Sequence, residues 1–130
     1  MPVKRLFQRL PDSMTIIDTM YASFADMALL IIYLTHPDET TAQSICDTLI
    51  EEGLAACSNI FPMKSSFIWK GEHEHEEEFV SLLKSRPELG DALEQRIIEL
   101  HPYDVPCVLR LGGRANEEYE DWIASNTRNE

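Results

Sequence analysis

The chain has 130 residues, the size of a single domain, and 44% of them are hydrophobic. Its 23 acidic residues outnumber its 11 basic ones, which gives a formal net charge of -12. Such a surface repels phosphate backbones and no local basic patch offsets it, so nucleic acid is not an expected partner. The longest apolar run, Met27 to Leu34, is far shorter than the roughly 20 residues of a membrane span, so no membrane partner is expected.

Cysteine usage indicates the compartment. The three cysteines, Cys46, Cys57 and Cys107, cannot all pair with one another, and none lies in a Cys-x-x-Cys spacing. This pattern is typical of reduced thiols rather than of a disulfide framework. The apolar run is also not followed by the small-residue cleavage site of a secretory signal. The sequence therefore predicts a cytoplasmic protein.

Residues 1–26 differ in pattern from the rest of the chain. Basic residues precede any acidic one, Pro11 interrupts the segment, and its apolar residues follow no clear period. We interpret this segment as an N-terminal extension and residues 27–130 as the folded domain.

A strand followed by a helix is predicted at the start of this domain. Ala28–Leu34 is continuously apolar, as in a strand buried on both faces. Pro37-Asp38-Glu39 provides a helix start, and Gly53 a left-handed helix end. Between them, apolar residues recur at helical spacing: Ala42, Ile45, Cys46, Leu49 and Ile50.

The middle of the chain predicts two strands joined by a charged tip. Ala55–Phe61 and Ser66–Trp69 are interpreted as one strand, broken or bulged at Pro62. Lys70-Gly71 begins the tip, and Phe79–Lys84 returns as a third strand with two apolar faces.

The last third predicts a helix, a strand and a short helix. Pro87 opens the first helix, whose apolar stripe is Leu89, Leu93, Ile97 and Leu100. Val105–Leu111 is predicted as the fourth strand and Gly112-Gly113 as a turn. Asn116 is expected to cap a final helix that carries Tyr119, Trp122 and Ile123.

The order β-α-β-β-α-β-α is that of the ferredoxin-like split βαβ fold, an α+β class. Right-handed crossovers place the two main helices on one face of a four-stranded antiparallel sheet. The first and third strands are central in this topology, and both are apolar on both faces. Since an exposed apolar face of that size is rare in monomers, we expect a second copy of the chain to cover it.

Several segments together resemble the CutA family of divalent cation tolerance proteins. The matching residues are Thr35-His36-Pro37-Asp38-Glu39, Glu51 to Cys57, Trp69-Lys70-Gly71, Lys84, His101 to Pro106, Tyr119 and Trp122. The resemblance implies a homotrimer similar in plan to PII signalling proteins, a role in tolerance of copper and other divalent ions, and no enzymatic reaction. No spacing of a nucleophile and a base suggests an enzyme either.

A divalent metal site is the first functional hypothesis. The copper ligands that the resemblance implies fall on Leu34, Leu100 and His101, so only His101 is retained. The topology places His36 near His101 and Cys107, because the first and fourth strands are antiparallel neighbours. Imidazole and thiolate suit copper or zinc. The alternative is that His101 caps a helix and Cys107 is a small buried hydrophobe.

The charged segment Glu72–Glu78 offers a second metal hypothesis. On an extended strand, His73 and His75 share one face and most of the glutamates the other. Two histidines beside carboxylates could hold a divalent ion weakly. The alternative is a solvated hairpin tip whose charges protect a strand edge.

A cleft between subunits is the third hypothesis. Trp69, Glu78, Lys84 and Tyr103 are polar or amphipathic residues near strand ends of an apolar scaffold, as in small-ligand sites. This arrangement fits a PII-like regulatory module that binds a small effector or a protein partner. Alternatively, Glu78 and Lys84 form an ion pair that locks subunits together.

Overall fold

The computed structural model describes residues 27–129 and confirms the predicted element order. The elements are β1 (Leu29–His36), α1 (Glu39–Glu51), β2 (Cys57–Trp69), β3 (Glu72–Ser85), α2 (Gly90–Leu100), β4 (Val108–Gly113) and α3 (Glu117–Ser125). A 3-10 turn, Pro87–Leu89, leads into α2. The extension predicted over residues 1–26 lies outside the described residues. No helix within residues 27–129 has the length and hydrophobicity to span a membrane.

The four strands form one antiparallel sheet in the order β2-β3-β1-β4, which confirms the ferredoxin-like α+β class. Strands β1 and β3 are central, as the sequence predicted. Alternate β1 residues, from Leu30 to Leu34, face α1 and α2 and pack with them in the main core. The core side chains are Leu30, Ile32, Leu34, Ile45, Cys46, Leu49, Leu54, Ala55, Leu83, Leu93 and Ile97.

Helix α1 begins and ends at the residues that the sequence indicated. The Asp38 side chain accepts a hydrogen bond from the Thr41 backbone N–H at 2.7 Å, which satisfies a donor of the first turn. At the other end, Gly53 has a φ of 74°, a left-handed conformation that suits glycine, and its N–H donates to the Ile50 carbonyl.

The predicted break at Pro62 is wrong. Strand β2 runs without interruption, and Pro62 pairs in register with Phe79. Proline lacks a backbone donor, but among the described strands β2 lies at an edge of the sheet and has β3 as its one neighbour. The missing donor therefore need not break the ladder.

The predicted charged tip is instead a long two-stranded ribbon. Strand β3 starts at Glu72 rather than Phe79, and a two-residue turn with positive φ at Lys70 and Gly71 joins it to β2. Strand β1 ends at His36, which pairs with Phe79. Beyond that pair, no other strand in the described part of the chain accompanies β2 and β3, and we call Met63–Trp69 with Glu72–Glu78 the ribbon.

The last strand and helix also differ from the prediction. Strand β4 starts at Val108, so Val105 lies outside it and is exposed. Gly112 lies within β4 rather than in a turn, and its missing side chain leaves room for Met27. Asn116 occupies the N-cap position of α3, but its side chain makes no capping hydrogen bond.

The face of the sheet opposite α1 and α2 is only partly covered. Helix α3 lies against one end of it, where Tyr119 contacts Cys57 and Lys84. Elsewhere Phe61, Leu109 and Leu111 remain 41%, 48% and 44% exposed. An apolar surface thus remains on this face, which we call the open face.

Candidate functional site

Two histidines meet where β1 ends and α2 ends. His36 is the last residue of β1, and its side chain is fully buried. His101 follows the last turn of α2 and is also buried. Their rings are stacked, with centroids 5.6 Å apart. The structure therefore brings together two of the three predicted metal ligands.

The ring nitrogens of this pair are not equally available. His101 Nε2 lies 2.7 Å from the Thr35 carbonyl oxygen, which can only accept, so Nε2 carries the proton. His101 Nδ1 accepts from the Tyr103 backbone N–H at 3.1 Å. His36 Nε2 lies 2.7 Å from Ser81 Oγ. His36 Nδ1 is the one buried side-chain nitrogen or oxygen without a partner within residues 27–129.

Burial keeps both imidazoles neutral near pH 7. Burial, together with the smaller effect of the neighbouring His101, lowers the pKa of His36 from 6.5 to about 4, while Asp38 opposes the shift. Burial also lowers the pKa of His101, against the opposing effects of the Thr35 carbonyl and Glu78. Neutral imidazole is the form that binds a metal ion.

Cys107 does not join the pair. No group of three or more His, Cys, Asp or Glu side chains within residues 27–129 is arranged to hold a metal ion. Val108 pairs with Leu34 and shares its face of the sheet, so alternation assigns Cys107 to the face opposite His36. Cys107 is exposed, so its interpretation as a small buried hydrophobe is wrong.

Ser81, the hydrogen-bond partner of His36, was not predicted from the sequence. Its signal was a serine in the middle of the apolar segment Phe79–Leu83. Since a buried polar group needs a partner, a serine at that position predicts a second polar side chain on the same face. Leu34 and Leu100, the positions at which the resemblance implies copper ligands, pack in and against the core.

The four predicted cleft residues do not converge within one subunit. Glu78 is buried and accepts long hydrogen bonds of 3.4 Å from Tyr103 Oη and Ser65 Oγ. Burial, together with the Glu78 charge, raises the pKa of Tyr103 to about 12. Lys84 lies six residues from Glu78 on the same strand, about 20 Å away, so the two form no ion pair within one subunit.

Lys84 and Trp69 have other neighbours. Lys84 Nζ donates to Tyr119 Oη at 3.4 Å, and Cys57 Sγ lies 3.6 Å from the same oxygen. Trp69 lies at the end of the ribbon, where Lys70 Nζ is 5.8 Å from its ring centroid. A cleft that contains all four predicted residues therefore requires a neighbouring subunit, and it stays a prediction.

An open groove of about 320 Å³ adjoins Glu78. It lies on the β2–β3 pair near the point where the ribbon leaves the sheet. Its lining residues are Pro62, Met63, Lys64, Glu77, Glu78 and Phe79.

A split βαβ sheet with a histidine pair at the end of its first strand defines an α+β protein of the ferredoxin-like class. The profile of the CutA1 divalent ion tolerance protein family matches residues 30–126. The divalent-cation tolerance protein CutA of Pyrococcus horikoshii is 38% identical over 101 residues, which cover 77% of this chain and 99% of that protein. The chain belongs to the CutA family.

Solved structures agree with this assignment. The crystal structure of CutA1 from Oryza sativa superposes with a TM-score of 0.77 at 32% identity, covering 80% of this chain and 97% of that one. CutA1 from Pyrococcus horikoshii gives a TM-score of 0.75 at 37% identity, covering 77% and 99%. The predicted family and fold class are thus confirmed.

The low pKa of His36 predicts a loss of stability in mild acid. The unfolded chain binds a proton near pH 6.5, whereas the folded chain resists it until about pH 4. Stability is therefore fully present above pH 6.5 and decreases as the pH falls through this window. We expect His36 to contribute about 2 kcal/mol of loss between pH 7 and pH 5.

Urea unfolding of the chelator-treated protein at several pH values measures this effect. The matched variant is His36→Gln, whose amide nitrogen can replace Nε2 in the hydrogen bond to Ser81 but does not titrate. Its stability should vary less with pH over the window. The prediction would be contradicted if the free energy of unfolding changed with pH equally in the wild type and in His36→Gln.

Proposed function

We propose that this protein is a non-enzymatic, cytoplasmic homotrimer that binds a divalent copper or zinc ion at the His36–His101 pair. The observation that carries this proposal is the stacked pair itself, with a buried Nδ1 on His36 that has no partner among residues 27–129. An unpartnered buried nitrogen is costly unless it gains a ligand. Membership of a family of divalent ion tolerance proteins supports metal as that ligand.

The chemistry of the donors suits copper or zinc. His36 would bind through Nδ1 while Nε2 keeps Ser81 as its partner, which is the usual way that an outer hydrogen bond orients a ligand. His101 would contribute Nδ1 after releasing the Tyr103 N–H. Cys107, which alternation assigns to the face of the sheet opposite His36, would complete the set only after the segment between α2 and β4 rearranges. Thiolate and imidazole favour copper or zinc over calcium or magnesium.

Calorimetric titration of the chelator-treated protein with Cu²⁺ and Zn²⁺ tests this site. We expect His36→Gln and Cys107→Ser each to weaken binding at one site per subunit by at least tenfold. Cys107 is exposed, so its substitution tests ligation without removing core packing. Unchanged affinity in both variants, with native circular dichroism, would overturn the proposal.

The trimer is supported by two unpaired surfaces. The open face carries exposed Phe61, Leu109 and Leu111. The ribbon edge of β3, Glu72–Glu78, has no neighbouring strand on the β1 side within residues 27–129. Strand β4 is the other edge of the sheet. A ribbon that pairs with a neighbouring subunit makes a head-to-tail contact, and three such contacts close a ring.

A second candidate function is a PII-like module that binds a small effector or a protein partner at a cleft between subunits. The groove beside Glu78 favours it, because buried Glu78 and the amphipathic Tyr103 offer polar contacts next to apolar side chains. Thermal-shift screening separates the two functions. Stabilisation by Cu²⁺ or Zn²⁺ supports the metal site, whereas stabilisation by a metabolite in the presence of chelator supports the effector module.

A further inference from the structure

The ribbon carries a second pair of histidines that the proposed metal site does not use. His73 and His75 are alternate residues of β3, so both side chains lie on the same face of the ribbon. Both are exposed, and their ring centroids are 4.6 Å apart. His36 pairs with Phe79, which is four residues from His75 and about 13 Å along the strand. The two histidine pairs are therefore separate.

The strand holds this second pair in place. His75 pairs with Ser66 and His73 with Ile68 across the ribbon, so both are anchored in a regular ladder. Neither pairing partner is charged, so no ion pair across the ladder competes for the imidazoles. The adjacent rings already lie near each other, and less side-chain freedom is lost when one ion binds both.

The surrounding charge attracts cations. Glutamate occupies positions 72, 74, 76, 77 and 78, while the basic residues of the ribbon and its turn are Lys64 on β2 and Lys70 in the turn. Glu77 lies on the same face as His75, and Glu74 lies between the two histidines on the opposite face. A cluster of negative charges raises the local concentration of cations and increases their rate of association.

We propose that His73 and His75 form an exposed two-nitrogen site for a divalent transition-metal ion, most strongly Cu²⁺. Nitrogen–metal bonds of about 2.0–2.1 Å require two nitrogens within about 4 Å of each other, which rings 4.6 Å apart allow. Imidazole selects copper, nickel and zinc over calcium and magnesium, and copper binds most tightly among these. Because no third side-chain ligand is arranged there within residues 27–129, water fills the remaining positions and the ion stays exchangeable.

Copper titration of the chelator-treated full chain tests this site, with calorimetry for stoichiometry and electron paramagnetic resonance for nitrogen ligands. To separate it from the His36 site, the titrations use the His36→Gln background. There we expect one Cu²⁺ per subunit with two imidazole nitrogens. His73→Gln with His75→Gln should remove it or weaken binding at least tenfold, and the exposed positions should leave the fold intact.

The matched control removes charge rather than ligands. Glu72→Gln with Glu74→Gln, on the opposite face, should weaken binding only slightly and should leave the two-nitrogen signal unchanged. Binding that disappears in about 0.5 M NaCl would show counterion attraction only, and so would binding that is unchanged by His73→Gln with His75→Gln. Either result would overturn the proposal. A negative result at His73 and His75 does not bear on the His36–His101 site. Titration of the wild type and of His73→Gln with His75→Gln still tests that site.

Discussion

Leu83→Ala is expected to lower the free energy of unfolding by about 3 kcal/mol, the largest effect of a single substitution that we predict on stability. Leu83 lies on central strand β3, is fully buried, and pairs with Ile32 in the middle of the core. Truncation removes transfer free energy and leaves a cavity between the sheet and the two main helices. Both effects destabilise the folded state, because the packed core relaxes only partly around the cavity.

Urea denaturation at fixed protein concentration measures this loss, because an assembly makes stability depend on concentration. The control is Ile98→Ala on α2, where the side chain is 54% exposed and truncation should cost less than about 1 kcal/mol. A Leu83→Ala loss no larger than that of the control would show that Leu83 is not part of a tightly packed core.

The fold could be predicted because local and global signals agree. The continuous apolar run of β1, the helical stripes of α1 and α2 and the helix start at Pro37-Asp38-Glu39 each indicate the element that is observed. The errors in strand boundaries arose where pairing within the sheet, rather than local sequence, determines the structure. Pro62 favours a break when its segment is judged by local pattern alone, although the predicted topology already places β2 at an edge of the sheet. The charged Glu72–Glu78 favours a loop until β2 is known to pair with it.

The candidate site was predictable only to the level of chain topology. Antiparallel pairing of β1 and β4 predicts that His36 and the segment after α2 lie at the same edge, which brings His36 and His101 together. The register is not visible in the sequence, and a shift of one residue changes the face of a side chain. For that reason Cys107 could not be assigned to a face, and the separation of Glu78 from Lys84 depended on both lying on one continuous strand.

The second large effect concerns assembly. Leu109→Asp combined with Leu111→Asp is expected to convert the proposed trimer into single subunits. Both leucines lie on the open face, where Leu109 pairs with Tyr33 and Leu111 with Ile31. Their exposure in one subunit means that the substitutions remove little of its own core. In the trimer, however, two carboxylates on each subunit would be buried against apolar side chains, at a cost of several kcal/mol per unpaired charge.

Light scattering coupled to size exclusion measures the result directly. The wild type should have about three times the 14.9 kDa subunit mass, and the double variant should have the mass of one subunit. Ile98→Asp adds a charge to the exposed side of α2 and should leave the trimer mass unchanged, which separates loss of the interface from a general effect of charge. A double variant that keeps the wild-type mass would place the interface elsewhere. A wild type that elutes as one subunit would remove the trimer, and with it the cleft that requires Trp69, Glu78, Lys84 and Tyr103 to meet between subunits.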